Sequence, residues 1–338
     1  MKLKIVADSK IPFLRGRLEP VAEMVYAPAS EITPSMVRDA DALIVRTRTK
    51  CGESLLKGSS VRLAATATIG TDHFDLGWLR DEGIDAVNAA GCNAPGVAQY
   101  VWSSLLRNGF KPGRHTLGVV GFGNIGTIVT DWGRKMGYKV MVCDPPRKGN
   151  GYTDEDYLPL HTLLKECDAV TVHTPLSYSG NHPTFHLVSR KEFGMMKKDS
   201  ILINASRGPV VDNTAWREHL RSNPDARAVV DVWENEPAPD PGLMQLAEIA
   251  TPHIAGYSIE GKERATRMVL EAVENKFNVS VDKSGLEGAY AAPSTVEADV
   301  IIKSYDPYSD TALLRSNPTH FDNLRDSYTL RHEPRFNQ

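Results

Sequence analysis

Hydrophobic residues along most of the chain form short apolar runs, which alternate with longer segments in which apolar and polar residues follow helical spacing. Such runs, bounded by turn residues, are typical of strands buried on both faces of a parallel sheet. In the first 90 residues the pattern predicts strands at 3–7, 42–46, 61–67 and 86–88, with helices at 34–40 and 74–82. Alternating strands and helices favour βαβ units, so a first doubly wound α/β lobe is expected.

The alternation resumes after a turn-rich segment and a helical one, at 90–96 and 97–106. It predicts strands at 169–173, 200–204 and 228–232, and helices at 160–166, 190–196, 213–221 and 260–278. Beyond residue 283 the pattern predicts a loop, a strand at 296–304 and a helical stretch at 310–328. We therefore expect two Rossmann-like doubly wound lobes with a small C-terminal α+β domain. The predicted boundaries are 1–93 plus 257–282, 94–256, and 283–338.

The composition is that of an ordinary globular protein, with 41% hydrophobic and 24% charged residues among 338. A net charge of −3 gives no reason to expect nucleic acid or a membrane as a partner. The four cysteines lie far apart without a CxxC pair, so neither a metal site nor a disulfide framework is indicated. Reduced thiols favour a cytoplasmic location.

A glycine-rich turn follows the apolar run at 117–120, with Gly121, Gly123 and Gly126 at G-x-G-x-x-G spacing before a helical segment. In a strand–turn–helix unit, the first glycine permits the turn and the second lets the backbone approach a pyrophosphate. The third lets the helix pack closely on the strand, and the helix N-terminus attracts the phosphates. The turn predicts a dinucleotide site.

Asp144 ends a second apolar run, 23 residues after Gly121, which is close to the spacing of a ribose-binding acid. A carboxylate there bonds the ribose hydroxyls and repels a 2′-phosphate, so NAD is the expected cofactor. Arg147 and Lys148 follow in the next loop and favour NADP more weakly.

Three residues after predicted strands of the second lobe have the chemistry that hydride transfer from a hydroxy acid requires: Arg207, Glu236 and His253. Such a reaction needs a cation for the carboxylate, a base for the hydroxyl proton, and a group that orients the base. Taken singly, each residue has an ordinary structural interpretation. Their common placement at carboxyl ends of strands favours an active site.

The first lobe offers a second cluster after a predicted strand, in which Arg46, Arg48 and Lys50 are interleaved with threonines. Three positive charges suit an anionic substrate, and arginine suits phosphate or carboxylate in particular. A solvated basic loop is the alternative interpretation. Thr68 follows the next strand, where hydroxyls and a glycine suit a small polar ligand.

The motifs at 121–126, 204–208, 231–237 and 251–256, together with Asp144, resemble those of the D-isomer-specific 2-hydroxyacid dehydrogenase family. The resemblance implies that Arg207 binds the substrate carboxylate, that Glu236 pairs with the histidine, and that His253 is the acid/base. It also implies that Asp231 holds the nicotinamide carboxamide. The implied cofactor-binding residues are Gly121, Gly123, Asn124, Ile125, Gly126, Asp144, Thr174, Ala205, Ser206, Arg207, Asp231 and Gly256. The implied substrate-binding residues are Arg46, Thr47, Thr68, Arg207, His253 and Tyr257.

The tail extends the resemblance at 304–307 and 324–328 to family members that carry an additional C-terminal domain. For this chain it implies a phosphorylated hydroxy acid as substrate, NAD as cofactor, no metal, and a homodimer formed through the tail. Two alternatives remain open: another D-2-hydroxyacid dehydrogenase, of the phosphoglycerate or glyoxylate reductase type, and an NADH-sensing binding protein without enzymatic activity.

Overall fold

The computed structural model describes residues 2–336, which form two compact units. The first unit contains residues 2–93 and Ser258–Ala291, and the second contains Ala94–Tyr257 and residues 292–336. Each unit is built on a fully parallel sheet with helices in the connections, which confirms the predicted doubly wound α/β lobes.

The first unit has a five-stranded sheet in the order β2-β1-β3-β4-β5. Alternate residues of a strand point to opposite faces, and both faces are covered: Ile5 belongs to one hydrophobic core and Val6 to another. The strands are β1 Leu3–Asp8, β2 Ala22–Ala27, β3 Ala42–Val45, β4 Leu63–Thr66 and β5 Asp85–Asn88. The helices are α1 Pro34–Val37, α2 Glu53–Leu56, α3 Leu76–Asp81 and the long α11 Ile259–Phe277, with a 3₁₀ turn at Ala29–Glu31.

The apolar pattern does not predict strand β2, and the reason is its position at the edge of the sheet. It pairs only with β1, and its burial is partial, with Glu23 exposed and three half-buried residues after it. An edge strand does not need a continuous apolar run, so this segment lacks the pattern that identifies the interior strands.

The second unit has a six-stranded sheet in the order β11-β10-β9-β8-β6-β7. The chain reverses direction across the sheet between β6 and β8, the position at which such folds bind ligands at the carboxyl ends of strands. The strands are β6 Thr116–Val120, β7 Lys139–Cys143, β8 Ala169–Val172, β9 Ile201–Asn204, β10 Arg227–Val230 and β11 Ile249–Ala250. The helices are α4 Ala94–Arg107, α5 Asn124–Lys135, α6 Pro145–Gly149, α7 Leu160–Glu166, α8 Arg190–Phe193, α9 Asn213–Ser222 and α10 Pro241–Leu246, with a 3₁₀ turn at Gly208–Val210.

The tail, residues 292–336, forms three helices: α12 Ala298–Ser304, α13 Pro307–Ser316 and α14 Phe321–Asp326. The predicted strand at 296–304 is therefore wrong, and the predicted helical stretch at 310–328 is two helices. Ile301 and Tyr305 are four residues apart and both buried, because α12 packs on α4 rather than on a sheet edge. Leu314 and Phe321 enter the hydrophobic core of the second unit. The role of the tail in dimerisation remains a prediction.

The longest helix, α11, carries charged residues along its length. Within residues 2–336, no helix combines the length and the apolar character needed to cross a membrane.

Candidate active site

The three predicted catalytic residues follow three strands that are neighbours in the second sheet. Arg207 comes after β9, Glu236 after β10 and His253 after β11, and these strands pair in parallel. Parallel neighbours bring their carboxyl ends to one edge, so residues that are distant in sequence reach the same region.

Glu236 and His253 form a hydrogen-bonded pair, with the ring Nδ1 2.8 Å from Glu236 Oε2. The other carboxylate oxygen, Oε1, accepts a hydrogen bond from the Trp233 backbone N–H at 2.9 Å. Burial alone raises the pKa of the Glu236 carboxyl, but the hydrogen bond and charge of His253 outweigh burial and hold that pKa below its ordinary value. The carboxylate stays ionised and fixes Nδ1 as a donor, which leaves Nε2 to exchange a proton.

Asp231 is almost completely buried beneath the loop that carries His253. Its Oδ1 accepts from the Thr251 hydroxyl at 2.7 Å and the Ile254 N–H at 2.8 Å, and its Oδ2 accepts from the Ala255 N–H at 3.0 Å. The His253 N–H also donates to the Asp231 backbone carbonyl at 2.8 Å. Burial raises the pKa of Asp231, while the charge of His253 and these hydrogen bonds act in the opposite direction. Asp231 therefore fixes the loop around the histidine.

The loop that carries Arg207 is held by Asn204 at the end of β9. Asn204 Oδ1 accepts from the Ser206 N–H at 3.1 Å, and its Nδ2 donates to the Arg207 carbonyl at 3.0 Å. Gly208 lies so close to the Trp233 carbonyl that an added Cβ would overlap it. The arginine loop and the Glu236 loop are thereby packed backbone to backbone.

The glycine-rich turn lies between β6 and α5, at the reversal point of the sheet. A Cβ on Gly121 would come within 2.6 Å of the His173 carbonyl oxygen, and one on Gly126 would overlap the Gly121 carbonyl. A Cβ on Gly123 would meet open space, so the backbone there is accessible to a ligand at the start of a 12-residue helix. The close packing at Gly121 and Gly126 agrees with the sequence pattern, and the approach of Gly123 to a pyrophosphate stays a prediction.

Comparison with known proteins identifies the family in which these motifs occur. Residues 95–255 match the family model described as D-isomer specific 2-hydroxyacid dehydrogenase, NAD binding domain. The erythronate-4-phosphate dehydrogenase of Bacteroides fragilis (strain YCH46) is 42% identical, over 98% of this chain and 97% of its own length. The erythronate-4-phosphate dehydrogenase of Azotobacter vinelandii (strain DJ / ATCC BAA-1303) is 41% identical, over 98% of this chain and 93% of its own length. The chain belongs to the erythronate-4-phosphate dehydrogenase family.

Solved structures agree with this fold. D-lactate dehydrogenase from Aquifex aeolicus, complexed with NAD and lactic acid, has a TM-score of 0.62 at 24% identity, covering 81% of this chain and 95% of its own. The TT0316 protein from Thermus thermophilus has a TM-score of 0.63 at 26% identity, with the same coverage. The predicted family is confirmed, and the protein is an NAD-dependent 2-hydroxyacid dehydrogenase.

The residues around the turn fit NAD, the cofactor of the family. The Thr174 hydroxyl oxygen, after β8, is buried without a partner in residues 2–336. Asp144 accepts the Phe122 N–H at 2.8 Å and the Arg147 N–H at 2.9 Å, one on each oxygen. Each oxygen keeps a lone pair, so the carboxylate can still accept from ribose hydroxyls. The Arg147 guanidinium is bound to Asp154, to Tyr157 and to the Phe122 carbonyl.

Replacing Asp144 with serine is expected to relax the preference for NAD over NADP. The variant loses the charge that repels a 2′-phosphate, but serine still caps α6. Because hydrogen bonds to charged groups contribute about 1.5–3 kcal/mol, we expect the ratio of kcat/KM for NAD to that for NADP to fall about 10- to 100-fold. Steady-state kinetics with both cofactors measures this ratio, and an unchanged ratio would contradict the assignment.

In the first unit, the predicted substrate residues lie at the carboxyl ends of β3 and β4. Arg46 forms an ion pair with the fully buried Asp8, with Nε 2.9 Å from Oδ2. Thr47 is exposed, and the Thr68 hydroxyl lies 2.7 Å from that of Thr66. The charge of Arg46 is therefore partly compensated within the protein, which the sequence did not indicate.

His186, Asp212 and Glu234 offer metal-ligand atoms within 4.8 Å of one another. Each of them already has a structural partner. His186 Nε2 is 2.7 Å from Glu234 Oε1, Glu234 Oε2 accepts from the Asn213 N–H at 2.9 Å, and Asp212 caps α9 by accepting from the Ala215 N–H. The hydrogen bonds of this cluster connect the start of α9 with the loop after β10.

Arg331, which follows α14 and is 9% exposed, has a role that no sequence pattern indicated. Its guanidinium donates to the backbone carbonyls of Ile254 at 3.0 Å, Tyr257 at 3.2 Å and Ala255. It also donates to Gln99 Oε1 at 2.9 Å. The tail thus holds the backbone of the loop that carries His253. Only the fold reveals this contact, because the two segments are far apart in sequence.

Proposed function

We propose that the protein oxidises 4-phospho-D-erythronate to 2-oxo-3-hydroxy-4-phosphobutanoate, with NAD as the hydride acceptor. The reaction belongs to the synthesis of pyridoxal 5′-phosphate. One observation carries the proposal: erythronate-4-phosphate dehydrogenases match this chain at about 40% identity from end to end, including the tail.

Three side chains of the site, Arg207, His253 and Glu236, have the chemistry that this reaction needs. The guanidinium of Arg207 holds the substrate carboxylate, since arginine binds carboxylates in two-point geometry. His253 takes the proton of the C2 hydroxyl at Nε2. Glu236 accepts from Nδ1 and stabilises the positive charge that the ring then gains. The glycine turn and Asp144 would hold NAD, which would supply the hydride acceptor that the oxidation at C2 requires.

An NADH-formation assay with purified protein tests the proposal. We expect turnover of 4-phospho-D-erythronate with NAD, and a kcat/KM at least tenfold lower for unphosphorylated D-erythronate. A panel containing 3-phosphoglycerate, glycolate and D-lactate covers the alternative 2-hydroxyacid dehydrogenase activities. Preference for one of these acids would reject the proposed substrate, and binding of NADH without turnover of any acid would favour the NADH-sensing alternative.

We further propose that the protein is a cytoplasmic homodimer assembled through residues 283–338, while residues 1–93 and 257–282 bind substrate and 94–256 bind NAD. The resemblance of the tail to that of its relatives supports this division. Sedimentation of the full chain tests the dimer. A full-length monomer would contradict it.

A further inference from the structure

A second tail arginine, Arg325 on α14, lies beside the loop that carries His253, residues 251–257, which we call the catalytic loop. Its Nε donates to the hydroxyl of Tyr257 at 3.1 Å. Tyr257 ends the short turn that begins just after His253, where its N–H donates to the Ile254 carbonyl at 2.9 Å. Arg325 and the acid/base histidine therefore border the same loop of the second unit.

The two terminal nitrogens of this guanidinium have no hydrogen-bond or ion-pair partner among residues 2–336. Both nitrogen atoms are accessible to solvent. The residue as a whole is partly buried, so its terminal nitrogens are accessible although the side chain is not fully exposed. Burial lowers the pKa of Arg325, but the Tyr257 hydroxyl and the carboxylates of Glu236 and Asp231 outweigh burial and raise it, so the group stays charged.

Three other arginines described above, Arg46, Arg331 and Arg207, differ from Arg325 in their hydrogen-bond and ion-pair partners. Arg46 is paired with the carboxylate of the buried Asp8, and Arg331 donates to backbone carbonyls and to Gln99. Arg207 donates to the Ser206 carbonyl and is assigned to the substrate carboxylate. Of these four guanidinium groups, only that of Arg325 is bound to neither a carboxylate nor a carbonyl within the described part of the chain. Its planar pair of terminal N–H groups matches two oxygens of a phosphate.

We propose that Arg325 binds the 4-phosphate of the substrate through its two terminal nitrogens, with the Tyr257 hydroxyl holding the guanidinium in place. The inference rests on the proposed function and names the residue that recognises the phosphate. It makes α14 part of the substrate site. Specificity for a phosphorylated acid then comes from the tail, outside residues 95–255 that match the family model.

The test compares two substrates in the full-length Arg325→Met protein. We expect KM for 4-phospho-D-erythronate to rise about 10- to 100-fold, since charge-assisted bonds are lost, while kcat/KM for D-erythronate stays within about twofold. Arg335→Met, which changes an exposed arginine of the same tail, is the matched control and is expected to change neither value. Equal loss with both substrates would show that Arg325 only positions the loop, and no loss would show that it does not bind the phosphate. Either result overturns the inference.

Two further variants keep the test decisive if Arg325→Met folds poorly. Arg325→Lys retains the charge without the two-point geometry and is expected to lose about tenfold in kcat/KM with the phosphorylated substrate only. Tyr257→Phe removes the bond to Nε, and its effect on the phosphorylated substrate is expected to be less than additive with that of Arg325→Lys. Full additivity would contradict the role of Tyr257.

Binding of inorganic phosphate gives a readout that does not depend on turnover. In calorimetric titrations with NAD present, we expect phosphate to bind the unmodified protein and Arg335→Met, and to bind Arg325→Met at least tenfold more weakly. Equal binding to all three proteins would overturn the inference. An unmodified protein that binds phosphate through Arg325 but does not oxidise 4-phospho-D-erythronate would reject the proposed function instead, so the two failures are distinguishable.

Discussion

Replacing His253 with asparagine is expected to lower kcat for NADH formation about 10²- to 10⁴-fold, the usual cost of losing a general base. His253 has a left-handed backbone conformation with φ of +57°, and asparagine is among the few residues that adopt it readily. The variant therefore removes the imidazole without straining the loop. KM for NAD is expected to change little, because the glycine turn and Asp144 are untouched.

A second replacement, His253→Ala, separates chemistry from backbone effects. Alanine adopts the left-handed conformation less readily, so this variant is expected to unfold at lower temperature than His253→Asn but to show the same loss in kcat. His182→Asn, in an exposed loop, is the matched control and is expected to retain full activity. Full turnover by either His253 variant, with an unaltered pH profile, would exclude His253 as the acid/base.

Interior strands and their ends were predictable from sequence because burial on both faces imposes a continuous apolar run. β9 and β10 could be located this way, and Arg207 and Glu236 follow them. β11, which precedes His253, is a two-residue edge strand without such a run, and the pattern did not give its bounds. The apolar pattern does not show that β9, β10 and β11 are neighbours in the sheet. Their adjacency follows from the doubly wound topology, which places successive strands side by side and aligns their carboxyl ends.

The parts that the sequence did not reveal are those whose environment is set by distant segments. The edge strand β2 has one partner and needs no apolar run, whereas α12 is helical because it packs on α4. Asp231 looked like a cofactor ligand by resemblance, yet its carboxylate also organises the His253 loop from beneath. No local pattern distinguishes such a buried anchor from a ligand-binding acid.

The largest effect expected outside the catalytic residues is that of Arg331→Met. Arg331 donates to three carbonyls of the loop at 254–257 and stacks on the Tyr305 ring, with its Cζ atom 4.1 Å from the ring centre. Methionine fills much of the volume but leaves buried carbonyls without donors, at a cost of about 1–3 kcal/mol each. After relaxation we expect the free energy of unfolding to fall by about 3–5 kcal/mol.

The same replacement is expected to lower kcat about tenfold even far below the melting temperature, because small displacements of a positioned catalytic group cost rate steeply. Arg315→Met provides the comparison: Arg315 also donates from the tail to carbonyls, those of Met244 and Ala247, but away from the catalytic loop. It is expected to destabilise the protein with kcat unchanged. Urea unfolding and kinetics at low temperature measure both quantities. If Arg331→Met lost only stability, as Arg315→Met does, the tail would support the fold without positioning His253.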